Sequence, residues 1–115
     1  MPYIIETWDK PGHRALRAHV RAEHLVYLDN NSSRLLACGA KLEDDGTDLG
    51  GGLYILDTER RSDAEQFISA DPFSTAGLFD RITITRWRKA YLDSKCFLPN
   101  TDTSTSATPA DSGGL

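Results

Sequence analysis

The chain is poor in sulfur: it holds two cysteines and one methionine among 115 residues. Cys38 and Cys96 lie far apart and form no CxxC pair, so neither a metal motif nor a disulfide framework is expected. Both read as reduced thiols, with Cys38 a small core residue inside LLACGA. No leader is expected either. MPYIIETWDK has no basic segment running into an apolar one, and no run approaches the ~18–20 apolar residues of a membrane span. The expectation is a cytoplasmic protein that does not contact membrane. A basic surplus is lacking too. There are 13 Lys and Arg against 17 Asp and Glu, for a net charge of -4. Nucleic-acid binding needs a concentrated basic footprint, and the one local cluster is Arg86, Trp87, Arg88 and Lys89.

What is present suits a small globular domain. Hydrophobic residues make up 39% and charged residues 26%, ordinary proportions for one folded unit. A domain of this size buries roughly 60–70% of the surface its unfolded chain exposes, so a partner subunit is a reasonable expectation. The PYIIETW segment predicts a strand at residues 2–8, and DKPG predicts a turn. Leu16, Val20 and Tyr27, widened by Leu25 and Leu28, predict a helix over residues 13–31. Its end at Asn30 and Asn31 suits a left-handed cap. Strands follow at 34–41 and 52–58, separated by an acidic, Gly-rich loop at 42–52. Ser62 with Glu65 reads as a capping box, opening a helix that stops at Asp71–Pro72. One extra turn falls in 73–79, and a last strand in 81–91. The domain is placed at residues 1–97. Residues 98–115, rich in Ser, Thr, Pro and Gly, read as a flexible tail.

Strand, helix, strand, strand, helix, strand is the ferredoxin-like βαββαβ order of an α+β protein. It predicts a four-stranded antiparallel sheet with both helices on one face. If Ile82 and Ile84 face the helices, then Thr83, Thr85 and Trp87 face the open side, a surface suited to a partner or ligand. RNA-binding modules share this order but carry paired aromatics behind a basic residue on the third strand. GGLYILDT offers Tyr54 alone.

Three histidines, His13, His19 and His24, are separated by six and five residues. They do not share a helix face, so no metal site is expected. His24 stands beside the apolar stripe. Position alone favours a histidine that packs and bonds a backbone carbonyl. An imidazole that is oriented by a partner can instead move protons at neutral pH. Asp71, fixed at a helix end by Pro72, is the candidate orienter. Arg21 is a candidate contact for an anionic group, and Arg17 reads as part of a solvated face. Ser74 and Thr75 either donate to a substrate oxygen or cap the extra turn.

RAEHLVYL, LLACGAKLEDDG, GGLYILDT, ADPFSTAGLFD and ITITRWRK resemble the YciI-like (YCII-related) family in order and spacing, as does the opening WDKPGHRALR. The resemblance covers residues 3–91. Where the family carries a proline before its histidine, this chain has Ala22 and Glu23. The resemblance implies a dimeric α+β barrel, two ferredoxin-like protomers meeting through their open sheet faces. It also implies a His–Asp active site, carried here by His24 and Asp71. The family's fold is similar to that of muconolactone-isomerase-type proteins, and one branch is similar to dehydrochlorinases of hydroxylated aromatics.

The expected activity is a cofactor-independent lyase or isomerase. His24 would move a proton on a small cyclic or aromatic metabolite while Asp71 holds it. Arg21, Phe73, Ser74 and Trp87 are the candidate substrate contacts, with Phe73, Phe79 and Trp87 as an apolar wall. Phe79 reads rather as core or interface. The competing readings are a non-catalytic metabolite-binding module and a purely structural dimer.

Overall fold

A computed structural model describes residues 1–99. Strand β1 (Tyr3–Asp9) leads into helix α1 (Arg14–Asn30), and a single 3₁₀ turn (Ser32–Arg34) follows. Strands β2 (Leu35–Leu42) and β3 (Asp48–Leu56) precede helix α2 (Arg61–Ala70), the short helix α3 (Pro72–Thr75) and strand β4 (Phe79–Arg86). The four strands form one antiparallel sheet in the order β2-β3-β1-β4. This is the ferredoxin-like arrangement, with the first and third strands in the centre. A separate hairpin, β5 (Tyr91–Leu92) and β6 (Lys95–Cys96), turns through Asp93 and Ser94, both at positive φ. From residue 100 onward the proposed tail lies outside the described residues.

Alternation along the sheet sorts its faces. Tyr3, Ile5, Tyr54 and Leu56 are buried on the helix side, and with Ala64, Phe67 and Ile68 from α2 they make the main core. Val20, Phe73 and Leu78 form a second cluster, where α1 meets α3. Ile84 stands opposite Ile5 and packs on the main core, whereas Ile82, opposite Thr7, stays 38% exposed. The other face carries Ile4, Glu6 and Trp8, flanked in register by Leu53, Ile55, Thr83 and Thr85. Trp8 lies between two cations there, Lys41 at 4.0 Å and Arg81 at 4.5 Å from its ring centroid. Lys41 also pairs with Glu6.

Several boundaries differ from the sequence expectation. β3 begins at Asp48 and takes in Gly50, Gly51 and Gly52, because Gly51 and Gly52 pair with β1, Gly52 and Asp48 pair with β2, and the segment does not loop out. A side chain at Gly51 would meet the Thr7 carbonyl oxygen at 2.1 Å. Only glycine allows that approach. β4 ends at Arg86 because its partner β1 begins at Tyr3. One more bond, from Trp87 N–H to the Pro2 carbonyl, closes the ladder. Ser62 does not cap α2, which opens one residue earlier behind Arg60. No side chain caps it; ahead of the helix the Thr58 hydroxyl accepts the Arg60 N–H and donates to Asp63 at 2.7 Å. Asn31 is not left-handed, with φ -112°. Its amide instead donates to the Tyr27 carbonyl and accepts from Arg34.

Candidate functional site

The site grows from the break between α2 and α3. Asp71 takes an extended backbone, as a residue before proline must. It ends α2 and is the N-cap of α3, with Pro72 in the first helical turn. Its side chain accepts the Phe73 N–H at 2.8 Å, the usual capping bond. The carboxylate is fully buried. Two further donors complete it. His24 Nδ1 lies 2.9 and 3.0 Å from its two oxygens, and the Tyr54 hydroxyl donates to Oδ2 at 3.2 Å.

This environment fixes the imidazole. With Asp71 acting as acceptor to every neighbour, the hydrogen on His24 sits on Nδ1. His24 has no other hydrogen bond among the described residues, and no buried side-chain nitrogen or oxygen there lacks a partner. Nε2 therefore opens onto the adjoining cavity. Burial, reinforced by the Asp71 charge, pushes the Tyr54 phenol far above its usual range. It stays protonated and remains a donor.

The His24 ring stacks on Phe73, with centroids 4.0 Å apart and planes 18° apart. Arg17, seven residues earlier on α1, places its guanidinium carbon 4.6 Å from the same centroid. Phe73 thus packs against two α1 side chains and is itself almost wholly buried. Arg17 is no solvated residue. It donates two hydrogen bonds to the Asp9 carboxylate, at 2.6 and 3.1 Å, with little exposure on either side. Burial works against its charge, but the Asp9 pair prevails and holds the guanidinium above its ordinary value.

The cavity has a volume of about 230 Å³ and runs between α1 and the β2–β3 edge of the sheet. His24, Arg21, Phe73, Tyr54 and Cys38 line it, and Gly39, Gly51 and Gly52 form its floor. Of the candidate residues named from the sequence, His24, Phe73 and Arg21 line the cavity, and Asp71 lies buried against His24. Ser74 and Trp87 do not line it. Ser74 lies on α3, and Trp87 stands beyond β4 beside Pro2. Phe79 packs between the two core clusters, away from the cavity wall. Cys38 is exposed, not core, because it pairs with Tyr54 on the outermost strand and no helix covers it. Its sulfur still faces the cavity wall, where desolvation and then the Asp71 charge push the thiol up to about 11.

Tyr54, Arg17 and the glycine floor were missed in the sequence. Tyr54 was legible only as a lone strand aromatic. Its hydroxyl gains meaning once β3 passes under Asp71. Among the described residues no group of three or more His, Cys, Asp or Glu could hold a metal ion. No helix among them is long and apolar enough to cross a membrane.

Known proteins place this geometry in a family. Residues 1–88 match the family model of the YCII-related domain. Protein YciI from Escherichia coli O6:H1 (strain CFT073) is 29% identical over 98 residues, spanning 79% of this chain and 100% of that protein. Protein YciI from Shigella flexneri matches to the same extent. Among solved structures, 5-chloro-2-hydroxyhydroquinone dehydrochlorinase (TftG) from Burkholderia phenoliruptrix AC1100, in complex with 2,5-dihydroxybenzoquinone, gives a TM-score of 0.71 at 30% identity. That match covers 76% of this chain and 94% of the dehydrochlorinase. By sequence over most of its length, and by the fold that builds the site, the chain belongs to the YCII-related domain family.

Proposed function

We propose that this protein is a cytoplasmic, cofactor-independent lyase or isomerase that uses His24 and Asp71 to move a proton on a small hydroxylated ring. One observation carries the reading. A buried carboxylate holds the His24 imidazole through Nδ1 and leaves Nε2 open to a cavity of about 230 Å³. A structural use of the pair would satisfy Asp71 without needing an open ring nitrogen. The dehydrochlorinase relative, recorded with a hydroxyquinone, supports a flat oxygen-bearing substrate.

In the elimination, Nε2 takes a proton from the ring substrate. The freed electron pair moves into the ring and expels the leaving group, chloride in a dehydrochlorination. His24 then returns the proton to solvent. Asp71 keeps the imidazole in the productive tautomer and stabilises the imidazolium formed in passing. Tyr54 and the Phe73 N–H hold Asp71 in place. Arg21 at the rim would meet a substrate oxygen that gains negative charge. Two protomers would pair through the open sheet face, where Ile4, Trp8, Leu53 and Ile55 await cover; light scattering in solution tests that pairing.

The test is turnover on a panel of chlorinated hydroquinones and small lactones. His24→Gln keeps much of the ring's volume and should leave the far-ultraviolet spectrum unchanged while abolishing turnover. Positioned acid–base catalysis is worth about 10²–10⁴-fold. Undiminished turnover in His24→Gln would overturn the proposal.

A further inference from the structure

A second cavity, of about 330 Å³, adjoins the first through Arg17, which lines both. A turn and a strand end form its walls: Lys10, Pro11 and Gly12 after β1, and Asp48, Leu49 and Gly50 at the start of β3. Gly12 and Gly50 take positive φ, +76° and +96°, which L side chains rarely adopt. The first turn of α1 adds Arg14 and Arg17, with His13 just ahead of it.

The charges are unevenly matched. Arg17 is committed to Asp9. Arg14 reaches only a backbone carbonyl, that of Asp48, at 3.4 Å. Lys10 has no carboxylate partner among the described residues, and its ammonium lies 3.8 Å from where a side chain at Gly77 would begin. Three cations, Lys10, Arg14 and Arg17, face two carboxylates, Asp9 and Asp48. One positive charge is left over, which suits a monoanion better than a dianionic phosphate.

We infer that this second cavity is a subsite for a carboxylate-ended arm on the ring substrate, held by Lys10 and Arg14. The inference rests on reading the His24 cavity as the ring site. The arm would pass Arg17, whose two hydrogen bonds to Asp9 keep it rigid. Lys10 and Arg14 both line the cavity, and a guanidinium with an ammonium is a usual pairing for carboxylate recognition. Neither Lys10 nor Arg14 touches the His24–Asp71 pair, so the subsite would select substrates without altering the proton transfer.

The experiment compares three ligands by calorimetry at low salt: hydroquinone, 3-(2,5-dihydroxyphenyl)propanoate and its methyl ester. The ester removes the charge and adds one methyl group. Wild type should bind the acid about two- to fivefold more tightly than the ester, the upper range for a partly exposed charge pair. In Lys10→Ala/Arg14→Ala that preference should vanish while ester binding stays unchanged. Equal binding of acid and ester by wild type would overturn the subsite, as would a preference that survives in the double variant. If only the acid binds, and the double variant loses it, the arm subsite stands and the ring reading falls. If none of the three binds, both fall.

Discussion

The imidazole of His24 lies flat on the ring of Phe73, 4.0 Å between centroids, while the Phe73 amide donates to the carboxylate that holds that imidazole. One residue therefore fixes His24 twice, by its side chain from the face and by its backbone through Asp71. Proline at 72 makes both possible. It starts α3 at a set angle, so that the next residue's amide turns back to Asp71 and its ring turns toward α1.

Phe73→Leu should therefore harm turnover more than stability. Loss of the aromatic contact and part of the packing costs about 1–2 kcal/mol. Without the ring face the imidazole loses its orientation, and kcat should fall more than tenfold. Urea denaturation and steady-state kinetics on the same preparation measure the two effects.

Asp71→Asn tests the carboxylate itself. The amide keeps the shape but cannot accept from His24, Tyr54 and the Phe73 N–H together, because one of its ends is a donor. A buried group left unsatisfied costs about 1–3 kcal/mol. The His24 tautomer would also be free to reverse, so turnover should drop by roughly 10²–10⁴-fold. Wild-type kinetics in the variant would remove Asp71 from the mechanism.

Tyr54→Phe removes a single hydrogen bond and leaves the ring in the core. The loss to folding is about 1–2 kcal/mol. Tyr54 holds Asp71 through Oδ2 and does not take part in the proposed proton transfer. The variant should thus lower kcat only severalfold, with KM little changed. A loss as large as that of His24→Gln would make the phenol a participant.

Cys38 supplies the pH prediction. Its thiol is raised from an ordinary value of 9.0 to about 11, so at pH 8 it holds on the order of a hundredfold less thiolate than an unshifted thiol. Iodoacetamide should label Cys96 well before Cys38, and Cys38 labelling should climb as pH nears 11. The folded state keeps this proton more tightly than the unfolded chain. That contribution to stability is full below pH 9 and is lost as pH rises through 11. Fast labelling of Cys38 at pH 8 would contradict the desolvation.

Gly51→Ala should not fold stably. The added carbon would lie 2.1 Å from the Thr7 carbonyl oxygen and 2.8 Å from Lys41, at φ +131°. Neither the central-strand backbone nor that dihedral can yield, and the cost exceeds about 3 kcal/mol. Thermal melting of the purified variant, or its failure to purify in soluble form, reads the outcome.

The sequence by itself determined the element order, because alternation in YIIETW and ITITR and the apolar stripe of α1 are local patterns. It also located the helix break at Asp71–Pro72, where proline's geometry is a property of the residue, and it singled out His24 as a candidate. Tertiary structure decided what those residues touch. Asp71 is 47 positions from His24 and 17 from Tyr54, and no periodicity reports a contact over such distances. The same holds for Arg17, whose helix face looked solvated until β1 brought Asp9 against it. It holds for Cys38, whose apolar neighbours suggested a core that an edge strand does not provide. The glycines of β3 looked like a loop because their composition is that of one. They are a strand because a passing backbone needs the space a side chain would take.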